Sequence, residues 1–234
     1  NELIVRYGLN KQDGIELRKT EDVLQLSSAL GYRKDTLSNW FHTAKFNFAT
    51  QFTDGYAYPN KDISVSRPFA PAYIFLGLGA EYASKDKHEL LYLSPFTSKI
   101  TMVLDQRLAN QGAFGVKKAL YDLDGNLIAE GEKSKVELGF LLTGFYKKEI
   151  FKNITVENRL SLYSDYINKF GNIDVDYDLT LELVVNEYVK TNIGVHVIYD
   201  DDIKAKEEVN GKQVTVGPKT QLKQVLGVGI VYNF

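Results

Sequence analysis

The sequence lacks cysteine entirely and holds a single methionine and a single tryptophan in 234 residues. Without cysteine, a disulfide framework, a thiol nucleophile and a thiolate metal site are all excluded. Basic and acidic residues nearly balance, 28 against 30, so the net charge does not favour a nucleic-acid partner. No apolar run approaches the ~20 residues of a membrane helix. Membrane-spanning β-strands are not excluded, because each needs only ~9–11 residues and alternates apolar with polar side chains.

What the sequence does contain is strict alternation, most clearly in the closing segment TQLKQVLGVGIVYNF, residues 220–234. One face is apolar and ends in two aromatics, while the other is small or polar. The apolar face comprises Leu222, Leu226, Val228, Ile230, Tyr232 and Phe234, with Gln224 among them. Such a pattern is typical of a strand in an outer-membrane β-barrel, and also of a half-buried strand in a soluble β protein.

Similar alternation recurs along the chain and predicts ten strands. Their ranges are 1–9, 23–32, 40–52, 72–82, 89–104, 136–146, 154–166, 175–185, 189–199 and 220–234. Within 89–104, Pro95 predicts a bulge, which would let the apolar face switch from Leu91 and Leu93 to Ile100 and Met102. Between strands, the Asp-Gly pair in 121–131 predicts a small hairpin.

Connections and composition favour a barrel over a sandwich. The connections are longer after the first, third, fifth and ninth strands, shorter after the second, fourth, sixth and eighth, and intermediate after the seventh. An up-and-down barrel with short periplasmic turns and long extracellular loops has this pattern. Fifteen tyrosines and thirteen phenylalanines suit its interfacial girdles. We therefore predict an all-β fold, a transmembrane antiparallel up-and-down β-barrel in one domain, 1–234; a soluble β-sandwich or lipocalin-like barrel is the alternative.

A barrel would turn the polar face of each strand into its lumen, where we expect a network of charges. The predicted members are Arg6, Lys45, Glu81, Glu137, Glu157, Arg159, Asp165, Asp176, Asp178, Glu182 and Lys190. Arg159 is expected near Asp176 and Asp178, and Lys190 near Glu182. Mixed charges can fill a narrow interior, and the excess of acids also fits a narrow, cation-preferring pore.

Catalytic and metal chemistry find weak support in the sequence. His196 lies near Asp200, Asp201 and Asp202, and a histidine beside aspartates can activate water. The same three aspartates offer oxygen ligands for calcium, but lysines follow closely and the spacing of a dedicated loop is missing. A lumen histidine and a solvated loop are the simpler interpretations. We predict no catalytic residues, no metal site and no cofactor.

Several long segments resemble a family of bacterial proteins. They are FNFATQFTDGYAYPN (46–60), APAYIFLGLGAEY (70–82), LYLSPFTSKITMVLDQRLANQGAFGV (91–116), IYDDDIK (198–204) and QVLGVGIVYNF (224–234). Together they resemble an uncharacterised family of outer-membrane β-barrel proteins of the Bacteroidota. The resemblance implies an outer-membrane location and two further strands ahead of residue 1, hence twelve in the intact barrel. It implies no catalytic residues.

These observations predict a non-enzymatic outer-membrane barrel that serves as an accessory or structural subunit of a larger complex for export, insertion or uptake. The alternative is a narrow channel for ions or small solutes. Expected partners are outer-membrane lipid, other envelope proteins and the barrel-insertion machinery, for which Tyr232 and Phe234 form the C-terminal signal. The long loops are expected outside the cell and the C-terminus in the periplasm.

Overall fold

The computed structural model of the protein describes residues 1–168, 170–200, 204–209 and 212–230. It is all-β, and its ten long strands form one antiparallel sheet. These strands are β1 (Glu2–Asn10), β2 (Arg18–Tyr32), β3 (Trp40–Thr50), β6 (Ala72–Ala83), β7 (Glu89–Met102), β10 (Ser134–Phe151), β11 (Ile154–Asp165), β12 (Asp174–Val184), β13 (Val189–Tyr199) and β16 (Gln221–Ile230). The prediction of ten alternating strands is confirmed.

Six shorter strands pair as three hairpins in the connections. They are β4 (Gly55–Tyr56) with β5 (Ser64–Ser66), β8 (Leu120–Tyr121) with β9 (Leu127–Ala129), and β14 (Lys204–Val209) with β15 (Lys212–Pro218). The predicted Asp-Gly hairpin is β8–β9, where Gly125 has a φ of 86° and the Asp122 carboxylate accepts from the Asn126 N–H at 2.7 Å. The β14–β15 hairpin was missed, since we interpreted 200–219 as a charged loop; its sequence signal is the Asn-Gly pair at 210–211.

Each long strand pairs with the long strand next to it along the chain, from β1 to β16. Over the residues described, β1 and β16 are the two edges of this sheet. A closed barrel would require these two edges to pair. The described part of the chain includes no helix long and apolar enough to cross a membrane.

On either side of Pro95, where we predicted a bulge, different faces of β7 are buried. Tyr92 and Ser94 are buried before Pro95, whereas Thr97 and Thr101 are buried after it. The buried positions of β7 are therefore even-numbered before Pro95 and odd-numbered after it. Because successive side chains of a strand point to opposite faces, this switch is the change that an extra residue at Pro95 would produce.

Two of the boundaries that differ from the prediction do so by five residues, the start of β2 and the end of β10. β10 continues to Phe151, through Lys147 and Glu149, which we had placed in a turn. β2 begins at Arg18 rather than at residue 23, so the connections 11–17 and 33–39 have the same length and the alternation of loop lengths starts only later. In β10 a charged residue remains in the strand because it has a partner on the neighbouring strand, as Lys147 does with Glu157 at 2.9 Å.

The chain divides into two compact units. The first comprises Asn1–Leu30, Ala44–Gly77 and Thr97–Leu138, and the second comprises Gly31–Thr43, Leu78–Phe96 and Gly139–Phe234. The first unit contains helix α1 (Gln106–Asn110) and a short 3-10 turn (Ala113–Gly115). A small apolar core consolidates its loops, formed by Ala70, Val103, Leu108, Ala109 and Val116.

In the second unit, β11, β12, β13 and β16 form an uninterrupted ladder. The register pairs Leu160 with Tyr177 and Asp178 with His196. Residues directly opposite share a face, so apolar side chains collect on one face and charged side chains on the other. Aromatic contact adds to this unit, because the rings of Trp40 and Tyr82 lie 5.4 Å apart.

Candidate functional site

The polar face of the second unit carries most of the predicted charge network. Register places the odd positions of β10 and β11 beside the even positions of β12 and β13. We call this surface the polar strip and define it by Lys147, Glu157, Arg159, Asp176, Asp178, Glu182, Lys190, His196 and Lys223. Lys147, His196 and Lys223 were absent from the predicted network.

Glu157 is the centre of the strip. Its carboxylate lies 2.9 Å from Lys147 Nζ on β10, and it accepts two hydrogen bonds from the Arg159 guanidinium, at 2.7 and 3.0 Å. Lys147 also approaches Glu182, with 3.7 Å between the charged atoms. Two cations therefore meet two carboxylates, and this cluster is neutral.

Arg159 was expected near Asp176 and Asp178. Asp178 is directly opposite Arg159 in the register, but the guanidinium turns along its own strand to Glu157 and lies over the Phe145 ring, 5.0 Å from its centroid. A flat guanidinium can accept a carboxylate at its edge and a ring on its face at the same time. The predicted proximity to Asp178 is confirmed, and the ion pair of Arg159 is with Glu157.

Lys190 and Glu182 were also expected to face each other. The register instead sets Lys190 opposite Val184 and Glu182 opposite Asn192. Glu182 interacts with Lys147, which the sequence reading had assigned to a turn. Lys147 was missed because the predicted strand 136–146 ended before it.

His196 pairs with a carboxylate other than those we considered. Its Nε2 lies 2.9 Å from Asp176 on β12, and its register partner on β16 is Lys223. Asp201 and Asp202 lie outside the described residues, and so do Tyr232 and Phe234 of the predicted insertion signal. The geometry defines an ion-pair partner for a protonated histidine, within a strip that already contains several such pairs.

Beside His196 the polar strip opens into a cleft of about 280 Å³. Its floor is formed by Gly194 and Gly227, where a missing side chain leaves room, and its walls include Asp178, Thr180 and Lys223. We call this feature the strip cleft. Groups of three or more His, Asp or Glu side chains arranged to hold a metal ion do not occur in the part of the chain that the structure describes.

The other predicted network residues lie apart from this cluster. In the first unit, Glu137 pairs with Lys135 at 3.3 Å, Arg6 is exposed opposite Val23, and Lys45 is half-buried. In the second unit, Glu81 is half-buried on β6. Asp165 closes the end of β11 by accepting from the Ile167 N–H and the Asn168 amide, each at 2.8 Å. These five positions are distributed over both units.

The opposite face of the strands is apolar and open. Leu222, Leu226, Val228 and Ile230 of β16 are between 61 and 82% exposed, and so are Leu3 and Val5 of β1, at 65 and 61%. Soluble proteins rarely leave contiguous apolar surface of this kind in water, so such patches mark a binding surface for protein or lipid.

The loops of the first unit are held by a second ion-pair cluster. Arg67 bridges Asp54, at 3.3 Å, and Asp105, at 2.9 Å. Asp105 also caps α1, because its carboxylate accepts the Leu108 N–H at 2.9 Å. Arg107 on the same helix donates to the Ser64 carbonyl at 2.6 Å. The helix was not predicted, although an aspartate before QRLAN is a recognisable N-cap signal.

Asp105 makes this cluster sensitive to acid. Partial burial alone would raise the pKa of Asp105, but hydrogen bonds from Arg67 and the Leu108 N–H, together with the charges of Arg107 and Arg67, hold that pKa below its usual value. A depressed folded-state pKa gives stability above the unfolded pKa, about 3.9 for aspartate, that is lost as the pH falls through the folded value.

We therefore expect segment 103–116 to lose protection as the pH falls from 6 to 3. Asp105→Asn should flatten this dependence, since asparagine caps a helix about as well but carries no charge for Arg67. Asp105→Ala should cost about 1 kcal/mol more, because it also removes the cap. Hydrogen–deuterium exchange, with labelling times adjusted for the pH dependence of chemical exchange, measures both effects. Identical pH profiles for the wild type and Asp105→Asn would contradict the assignment.

A family model described as a protein of unknown function (DUF3078) matches residues 1–56. The match covers β1, β2, β3 and β4, all within the first 56 of 234 residues. It agrees with the resemblance to a family that has no assigned activity. No curated protein and no solved structure matches the chain.

Proposed function

We propose that this chain is a transmembrane antiparallel β-barrel of the outer membrane of a Bacteroidota bacterium, with long loops outside the cell and the C-terminus in the periplasm. In this proposal it has no enzymatic activity. It acts as an accessory or structural subunit of a larger outer-membrane complex for export, insertion or uptake. Its partners are outer-membrane lipid, the barrel-insertion machinery and other envelope proteins.

The observation that carries the membrane location is the open apolar face. Across β1, Leu3 and Val5 are exposed, and on β16 the side chains of Leu222, Leu226 and Val228 are exposed as well. In water such faces would drive association, whereas in a bilayer they contact acyl chains and every backbone polar group stays in the ladder. The intervening positions carry charges on the polar strip, as expected for a face turned towards a lumen.

The accessory role is supported by the chemistry of the polar strip. Lys147, Glu157 and Arg159 compensate one another, and His196 has Asp176 as its partner. Side chains held in mutual ion pairs fill space and resist displacement by a passing ion. The loops of the first unit, tied down by Arg67 and α1, would present an ordered surface to a partner protein.

A narrow channel is the second candidate, and the strip cleft favours it. Gly194 and Gly227 leave open space on the polar face beside Asp178 and Lys223. A row of mixed charges beside such space could pass small ions or solutes.

Planar-bilayer recording separates the two candidates. For an accessory barrel we expect no steady single-channel current from the purified protein. A steady current that disappears in the double variant Glu157→Gln, Glu182→Gln, but persists in the loop control Glu130→Gln, would contradict the accessory role and support a channel. Recovery of another envelope protein in stoichiometric amount after mild detergent extraction would support the accessory role.

A further inference from the structure

A second cleft lies in the first unit, on the apolar side of the sheet rather than on the polar face. It has a volume of about 360 Å³, within the range of about 300–1,000 Å³ typical of small-molecule sites. Side chains of β1, β2 and the 53–61 loop line it. We call it the tyrosine cleft and define it by Tyr7, Leu9, Leu17, Lys19, Thr53, Asp54, Tyr56, Tyr58 and Lys61.

The tyrosine cleft continues the apolar stripe of β1. Leu3 and Val5 lie on the same strand face as Tyr7, and the register sets Leu3 and Val5 opposite Leu26 and Leu24. Beyond Tyr7 the stripe enters the cleft, where hydroxyl, ammonium and carboxylate groups first appear. A molecule that fits this surface is apolar at one end and polar at the other.

Aromatic rings and an ordered loop give the cleft a fixed shape. The Tyr7 ring packs against Phe52 with 5.6 Å between centroids, and the Tyr56 and Tyr58 rings are 6.5 Å apart. Tyr58 is held from both sides, since Arg18 and Lys61 lie 5.4 and 5.7 Å from its ring centroid. Its hydroxyl also accepts the Lys19 backbone N–H at 2.9 Å.

The charges at the cleft all have partners within the protein. Lys19 lies 2.7 Å from Asp22, whose carboxylate also accepts the Thr53 N–H at 2.9 Å. Lys61 lies 2.6 Å from Glu16. Asp54 pairs with Arg67 at 3.3 Å. A charged ligand would compete with these pairs, whereas the hydroxyl groups of an uncharged ligand can hydrogen-bond to Asp54 and Lys61, whose side chains are 31 and 41% exposed, without breaking them.

From this geometry we infer that the tyrosine cleft binds the neutral sugar head group of a membrane lipid. The C–H face of a sugar ring packs against Tyr7 and Tyr56, and its hydroxyls meet Asp54 and Lys61. The acyl chain follows the stripe of Leu3 and Val5. The lipid origin rests on the proposed membrane location, while the sugar chemistry rests on the cleft itself.

Fluorine NMR of protein labelled with 3-fluorotyrosine tests the inference in lauryldimethylamine oxide micelles, which contain no sugar. Resonances are assigned by single Tyr→Phe substitutions. Dodecyl maltoside supplies a neutral sugar on an alkyl chain, dodecylphosphocholine a charged head group on the same chain, and maltose the sugar alone. We expect dodecyl maltoside to shift Tyr7 and Tyr56, dodecylphosphocholine to leave them unchanged, and maltose to act with affinity about tenfold weaker, since it lacks the chain.

Tyr56→Ala should weaken the dodecyl maltoside response about tenfold, whereas the control Tyr121→Ala, at an exposed tyrosine of β8, should not change it. No shift with dodecyl maltoside, or an equal shift with dodecylphosphocholine, overturns the inference, and the wild type alone suffices for that result. Equal affinity for maltose overturns the lipid origin. Insertion into lipid vesicles is measured separately, so failure to insert counts against the proposed function and leaves the sugar response in micelles as an independent result.

Discussion

Leu226→Arg is expected to lower the free energy of unfolding in lipid vesicles by about 2–4 kcal/mol, the cost of an arginine on the lipid face near the bilayer midplane. Leu226 lies in the middle of β16, opposite Ile193, and is 72% exposed. In water an arginine at so exposed a position would change stability by no more than about 0.5 kcal/mol. The size of the effect therefore reports the solvent that this face meets. Urea titration of vesicle-inserted protein measures it.

Val225→Arg is the matched control for this prediction. Val225 is the preceding residue, is also exposed, and lies on the polar face opposite Gly194. An arginine there meets the strip cleft, where water and Asp178 are close, so the expected cost is below about 1 kcal/mol. Equal unfolding midpoints for both variants and the wild type would contradict the membrane location of the apolar face.

Gly79→Ala is expected to destabilise the protein by about 3 kcal/mol, at the upper end of the usual cost of overpacking. A Cβ at position 79 would fall on the Leu93 carbonyl oxygen and 2.8 Å from the Cα of Ser94. Both atoms belong to the backbone of β7, which cannot rotate away as a side chain can. Ser94 is itself fixed, because it is fully buried and its hydroxyl donates to the Leu78 carbonyl at 3.0 Å.

Gly144→Ala provides the control, since a Cβ at that position on β10 meets nothing within 4 Å. Alanine restricts the unfolded chain more than glycine, so this variant should gain about 0.5–1 kcal/mol. Both variants are compared by urea titration in the same lipid. A loss of stability in Gly144→Ala as large as that in Gly79→Ala would contradict the assignment of the cost to the close approach of the β7 backbone.

The change in the parity of the buried side chains of β7 could be predicted from the local sequence. Pro95 inside an alternating segment removes a backbone donor, and the apolar positions on its two sides differ in parity. Both signals are local, and the buried residues of β7 change from even to odd positions at Pro95, where these signals predict the change. Gly79 is different. Its place in an alternating segment is visible in the sequence, but the closeness of the Leu93 backbone is decided by how β6 and β7 pack.

The partners in the ion-pair clusters could not be predicted from local sequence patterns. Lys147 was assigned to the turn at 147–153, yet the register brings Lys147 opposite Glu157. Arg67 and Asp105 are 38 positions apart in the sequence and form one ion pair. Neither contact follows from a pattern within one segment. The helix at 106–110 was overlooked for a related reason, since five residues show no helical periodicity and only its N-cap stands out.

The sequence by itself determined the all-β class, the ten long strands and the face on which each apolar side chain lies, because alternation has a period of two and needs no knowledge of a neighbour. The tertiary structure decided which charges pair, how the loops of the first unit are held, and that a cleft forms at Tyr7, Tyr56 and Tyr58. These depend on the register between strands and on loops folding back over them. A shift of one residue in that register would exchange the two faces of a strand while leaving its sequence unchanged.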